Sequence, residues 1–210
     1  MEKTPIVNKF LEFLDGRFPD AKCELTHKNL YELAISTILS AQCTDEMVNK
    51  ITPSLFQQYP DFFSLSNADI EHLKQIIKPT GFYNNKAKSI LSLAKVVVEN
   101  YKGELPLEME ILVKLPGIGR KTANVILSEY GTPSGIVVDT HVARVSKRLG
   151  LTTYDDPIKI EKDLISLIPE DRWGKISHQI IHFGRQICKA RKPECSNCEM
   201  RDFCSYYKQQ

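Results

Sequence analysis

Long apolar runs are missing: nothing in the 210 residues approaches the ~20 consecutive apolar positions of a membrane-spanning helix. The first residues, with Glu2, Lys3 and Pro5 ahead of a short amphipathic stretch, lack the apolar core of a secretory signal, so a reducing cytoplasm is the expected location. Period-two alternation is scarce as well. Ile136-Val137-Val138 is too short to anchor a sheet, which argues against sheet-based folds. Neither a repeat of about 20 to 50 residues nor a low-complexity tract occurs, which excludes solenoids and disordered tails. A large charge of one sign is also lacking. The formal net charge is +2, and by itself it says little about partners.

What is present is a charge distribution and a helical pattern. Lys114, Arg120, Lys121, Arg144, Lys147 and Arg148 face only Glu129 and Asp139 within residues 114–149. Residues 174–210 carry Lys175, Arg185, Lys189, Arg191, Lys192, Arg201 and Lys208 against Glu194, Glu199 and Asp202. Two such segments suit a polyanion, although solvated helix faces would have the same composition. Helical spacing is clearest in Ala87, Ile90, Leu91, Ala94, Val97 and Val98, with lysines assigned to the other face. Residues 27–42 are apolar nearly all round and predict a central buried helix. Ser66 with Asp69 predicts a capping box, and Asp156-Pro157 predicts a capped start with a first-turn proline. The expectation is an all-α chain of roughly ten helices, with Thr132-Pro133-Ser134-Gly135 linking two lobes.

Leu115-Pro116-Gly117-Ile118-Gly119-Arg120-Lys121 lies between two helical segments, residues 107–114 and a second beginning at Arg120. Two glycines spaced by one residue permit positive φ and remove Cβ atoms that would hold a ligand away. Their amides and the following helix N-terminus make a phosphate site, the pattern of a helix-hairpin-helix. A P-loop would need four residues between its glycines with lysine directly after the second, whereas here one residue separates them and Arg120 intervenes. A dinucleotide fingerprint is excluded because the preceding strand and third glycine are missing. Lys121, in the first turn beside Arg120, is the residue that turns a binding loop into a catalyst. An uncharged lysine amine attacks a sugar carbon, whereas a charged one contacts phosphate.

Val138-Asp139-Thr140-His141 sets a carboxylate ahead of a helix whose buried face is Val142, Val145 and Leu149. Asp139 can serve as an N-cap worth about 1 kcal/mol. Lying after the lobe linker, it can also face the hairpin helix and steady a cation forming at a nucleoside C1′. His141 either lines a pocket or packs. Cys188, Cys195, Cys198 and Cys204 follow C-x6-C-x2-C-x5-C, which predicts a metal centre. One C-x2-C pair rather than two leaves both zinc and an iron–sulfur cubane open. Lys189, Arg191 and Lys192 sit inside that loop, where a metal would hold them toward phosphates. Cys23 and Cys43 are isolated and read as buried apolar residues.

Together the hairpin with Lys121, the Val-Asp-Thr-His segment and the four-cysteine loop resemble the endonuclease III family. Leu39-Ser40-Ala41-Gln42 and Gly81-Phe82-Tyr83-Asn84 fit it too. The resemblance implies a two-lobed helix-hairpin-helix glycosylase fold. Residues 23–133 would form a six-helix domain containing the helix-hairpin-helix at about 107–131. Residues 1–22 with 134–210 would form a [4Fe-4S] domain with its cluster loop at 188–204. Double-stranded DNA carrying a damaged base or abasic site would bind in the cleft between the lobes. The implied enzyme is a monomeric base-excision glycosylase for oxidised pyrimidines and also an AP lyase, cytoplasmic and nucleoid-associated if bacterial. Lys121 would expel the base with help from Asp139, and its Schiff base would then undergo β-elimination. Gln42, Phe82, Gly117, Gly119, Arg120, Lys189, Arg191 and Lys192 would contact DNA. Ser40 and His141 would line the base pocket, and the cluster would be structural.

Adenine-specific relatives carry a catalytic glutamate on the helix holding Leu39. Here no acid occurs between Glu32 and Asp45, which disfavours that activity. The family commonly has an aliphatic residue before Gly81 and a leucine after it; Thr80 and Phe82 stand there instead, and Thr80 is the poorer wedge. A non-catalytic DNA clamp and a redox iron–sulfur protein are the competing readings, and neither requires Lys121 with Asp139.

Overall fold

A computed structural model describes residues 4–209, in which twelve α-helices and four short 3-10 turns appear and no strand is found among the described residues. The apolar spacing predicts roughly ten helices. The excess comes from short elements that periodicity cannot register.

Two compact units divide the chain, Cys23–Thr132 and Met1–Lys22 with Pro133–Gln210. The first contains α2 (Leu30–Leu39), α3 (Asp45–Gln58), α4 (Phe62–Ser66), α5 (Ile70–Ile77), α6 (Tyr83–Tyr101), α7 (Met109–Leu112) and α8 (Arg120–Tyr130). Every residue of α2 from Tyr31 to Leu39 is buried, which places this helix at the centre of the unit's core. Asn29 caps it by accepting a bond from the Glu32 amide. Around it, α6 contributes Ala87, Ile90, Leu93, Ala94 and Val97, and α8 contributes Ala123, Ile126 and Leu127.

Two local expectations are corrected here. Ser66 ends α4 instead of opening α5; its hydroxyl turns back to the Phe63 carbonyl, and Asp69 alone caps α5 through the His72 amide. The capping box lies earlier, at Asp61 and Ser64. The first helix of the hairpin is a single turn, α7, and does not extend over the whole of residues 107–114. Glu108 offers α7 no side-chain cap, and the chain leaves the helix at Val113.

The second unit contains α1 (Thr4–Arg17), α9 (Thr140–Leu149), α10 (Pro157–Leu167), α11 (Trp173–Gln186) and α12 (Ser205–Lys208). Aromatic packing joins α1 to α11: the Phe13 and Phe183 rings lie 5.1 Å apart, nearly edge to face. The fully buried Gln179 side chain donates to the Leu14 and Phe18 carbonyls, satisfying the end of α1. Ile136, Val137 and Val138 are buried without forming a strand and lead directly into Asp139 at the start of α9.

Candidate functional site

In unit Cys23–Thr132, three loops open on one cavity. Gln42 and Phe82, the hairpin's Gly117, and Thr122 beside Lys121 all line it, with Lys86 and Ser89. Gln42 (φ 53°) and Phe82 (φ 48°) are two of four non-glycine residues with positive φ among the described residues. Left-handed backbone costs roughly 1–2 kcal/mol for a residue bearing a Cβ. Strained positions of this kind gather where a side chain must be aimed. Phe82 is 65% exposed, a large apolar ring held in solvent at the lip of the cavity. Thr80 is turned inward: it is buried, with its hydroxyl on the Ile77 carbonyl. Of the two residues flanking Gly81, only Phe82 presents its side chain to solvent. Ser40 is half-buried and donates to the Thr37 carbonyl at the end of its own helix.

The two hairpin glycines differ. Gly117 has φ +78°, and a Cβ there would stand 2.9 Å from the Ser89 Cβ, so both conformation and space demand glycine. Gly119 has an ordinary extended backbone and open space beside it. The shared positive φ expected of both is thus corrected. Gly119 caps α8 without any side chain, so the start of that helix has no capping hydrogen bond from its N-cap residue. Arg120 and Lys121 follow, both exposed. A helix N-terminus carrying two exposed cations has the chemistry that a phosphate site requires.

In the other unit, Asp139 is engaged on both oxygens. Oδ1 accepts from the His141 and Val142 amides at 2.8 Å each, and Oδ2 lies 2.8 Å from His141 Nδ1. The cap and the presented carboxylate are one group: the helix start fixes the carboxylate's orientation, and His141 holds its second oxygen.

No disulfide joins any of the six cysteines. Cys188, Cys195, Cys198 and Cys204 line a single pocket, together with Arg148, Phe183, Met200 and Tyr206. Burial pushes the Cys195 and Cys198 thiols above their ordinary range, and the nearby Cys188 and Cys204 sulfurs add to it. Among the described residues no three His, Cys, Asp or Glu side chains converge as ligands of one ion would. Four thiols spread around a shared pocket fit a larger, multi-iron group better than a lone zinc. Arg148 fastens the loop: its guanidinium donates to the Lys189 and Ala190 carbonyls at 2.7 and 3.1 Å, reaches Cys188 Sγ at 3.4 Å and lies over the Tyr206 ring. Arg144 adds a bond to the Cys188 carbonyl. Arg191 and Lys192 are exposed on this loop, whereas Lys189 is paired with Glu194. Cys23 and Cys43 pack against the core of the first unit, and burial raises the Cys23 thiol to about 11, consistent with a packing role.

Residues 35–170 match the HhH-GPD superfamily of base excision DNA repair proteins. Endonuclease III of Synechocystis sp. is 48% identical over 93% of this chain and 90% of its own length. The chain belongs to the endonuclease III family. Residues 188–204 match the iron–sulfur binding domain of endonuclease III, and the cofactor is a [4Fe-4S] cluster. Two solved structures, an endonuclease III in a non-covalent DNA complex and one trapped as a covalent DNA intermediate, each align at TM-score 0.94 and 44% identity. Both alignments cover 100% of this chain, and 98% and 99% of those chains respectively. No helix among the described residues is long and apolar enough to cross a membrane.

Two residues differ from what sequence reasoning expects of them. Helical spacing assigns Lys86 to the exposed face of α6, yet it is buried. A signal for this exists: positions 86, 90, 93 and 97 share one stripe of the helix. Arg148 reads in sequence as phosphate-directed charge, whereas its partners are the cluster loop and Tyr206.

Proposed function

We propose that this chain excises oxidised pyrimidines from duplex DNA and then cuts the strand at the resulting abasic site. In this reading Gly117 and Gly119 bring the backbone amides of the hairpin against the DNA phosphates. Gln42 and Phe82 enter the duplex where the damaged nucleotide leaves it, and Ser40 and His141 contribute to the base pocket. The Lys121 amine attacks C1′, the bond to the base breaks, and the Asp139 carboxylate steadies the positive charge that develops on the sugar. Opening of the sugar at the C1′–O4′ bond turns this adduct into a Schiff base on Lys121, which acidifies C2′; loss of the C2′ proton to solvent and departure of the 3′ phosphate then break the C3′–O bond. Cys188, Cys195, Cys198 and Cys204 hold the cluster, which serves to shape the loop bearing Lys189, Arg191 and Lys192. Arg120 completes the phosphate contacts. A monomer working on cytoplasmic DNA satisfies this scheme.

The observation that supports it best is the exposed amine of Lys121 in the first turn of α8, one residue from a cavity lined by Gln42, Phe82 and Gly117. A clamp without chemistry needs no such amine beside a flipping cavity. Borohydride quenching on an abasic duplex tests it. The wild type should form a covalent adduct, and Lys121→Ala should lose it while still binding duplex. Asp139→Asn should slow base release by about 10²-fold or more, the scale of a lost electrostatic contact to a developing charge. An Asp139→Asn enzyme of normal turnover would reduce that carboxylate to a helix cap.

A further inference from the structure

The Lys86 ammonium is 5% exposed, and its two partners are main-chain carbonyls. Nζ donates to Leu39 O and to Thr80 O, each at 2.8 Å. The first carbonyl closes α2, three residues before Gln42; the second lies two residues before Phe82. Helix ends leave such carbonyls without partners, and one cation here serves the ends of two separate segments. Both following turns enter the left-handed region, at Gln42 and at Phe82. Lys86 itself lines the cavity on which both side chains border.

Burying an ammonium is expensive, and an apolar residue would complete the α6 stripe at lower cost. Burial accordingly holds the Lys86 amine below the usual lysine range. What the cation provides in return is a fixed separation between two loops that are far apart in sequence. We propose that Lys86 is a positioning residue that latches the Gln42 and Phe82 turns together, so that both enter the duplex as one rigid wedge. This rests on the reading that Gln42 and Phe82 fill the space vacated by the flipped nucleotide. With the latch removed each turn relaxes separately, and the cost falls on insertion, not on the chemistry at Lys121.

The test uses the iron-loaded enzyme and a duplex carrying a tetrahydrofuran abasic analogue opposite 2-aminopurine, whose emission rises when its stacking is disrupted. Lys86→Met should bind this duplex but give less than about half the wild-type rise at saturation. Its kcat/KM on a lesion duplex should fall on the order of ten- to a hundredfold, the scale set by a displaced positioning group. The loss should appear mainly in kcat, because phosphate contacts are intact. Lys86→Arg, which keeps the charge and several donors, should recover most of both signals. If Lys86→Met does not fold, Lys86→Gln takes its place, being one atom short of spanning both carbonyls. A folded Lys86→Met or Lys86→Gln enzyme with the full emission rise overturns the latch. Gln42→Ala and Phe82→Ala separate the two levels. If they lose the rise while the Lys86 variants keep it, the latch alone fails; if they also keep it, the wedge reading fails and the latch with it.

Discussion

The two glycines of the hairpin look equivalent in sequence, and at the scale of single residues they are not. Gly117 is required by the fold, because its φ is +78° and an added methyl carbon would stand 2.9 Å from the Ser89 Cβ. Gly119 is required, if at all, by what approaches from outside, because its backbone is ordinary and its surroundings are open. Gly117→Ala should therefore cost about 1–2 kcal/mol of stability. For a chain of this size that lowers the melting temperature by roughly 3–6 °C. Gly119→Ala should leave the melting temperature unchanged and weaken duplex binding several-fold, since its methyl group would stand at the N-terminus of α8 where a phosphate would approach. Calorimetry with fluorescence-anisotropy titration reads both. A Gly119→Ala protein that binds duplex like the wild type would remove the hairpin from the interface. The candidate residues legible from sequence are those whose chemistry is carried by type and spacing: Lys121 behind two glycines, Asp139 ahead of a helix, four cysteines in a short run. Lys86 is not among them, because a lysine on an amphipathic helix is ordinarily solvated, and only the carbonyls of Leu39 and Thr80 reveal otherwise.

Among the elements, length decides what the sequence can disclose. α2 and α6 announce themselves through apolar spacing over several turns, and Asp156 with Pro157 marks the start of α10 correctly. α7 has one turn, too short for periodicity to separate from a loop, and α4 with its Asp61–Ser64 box escapes detection for the same reason. The helix that matters most to the cluster is α9. It begins at Asp139 and ends at Arg148 and Leu149, so one rigid element carries the capping carboxylate at one end and the grip on the cluster loop at the other. The loop itself has little regular structure, two 3-10 turns at Cys195–Asn197 and Arg201–Phe203. Its geometry thus depends on Arg148 and, in the proposed scheme, on the four thiols as cluster ligands. Cys198→Ser should lose iron and DNA affinity together, measured as iron content per chain and as duplex affinity on the same preparation. Wild-type affinity in an iron-free Cys198→Ser protein would contradict a positioning role for the cluster.

For the whole molecule, a net charge of +2 conceals the two cationic segments that carry Lys121 and the cluster loop. Sequence spacing identifies those segments but does not say which cations are committed within the protein. Lys189 is paired with Glu194, Arg201 with Asp202, and Arg148 is engaged with the loop, whereas Arg191 and Lys192 are exposed there with no ion pair among the described residues. The central claim concerns one nitrogen among twenty-eight lysines and arginines. Borohydride-trapped adduct on an abasic duplex, digested and sequenced by mass spectrometry, locates the deoxyribose directly. The account predicts a single modified peptide with the sugar remnant on Lys121. An adduct carried by any other residue, or none at all from iron-loaded enzyme, would contradict it.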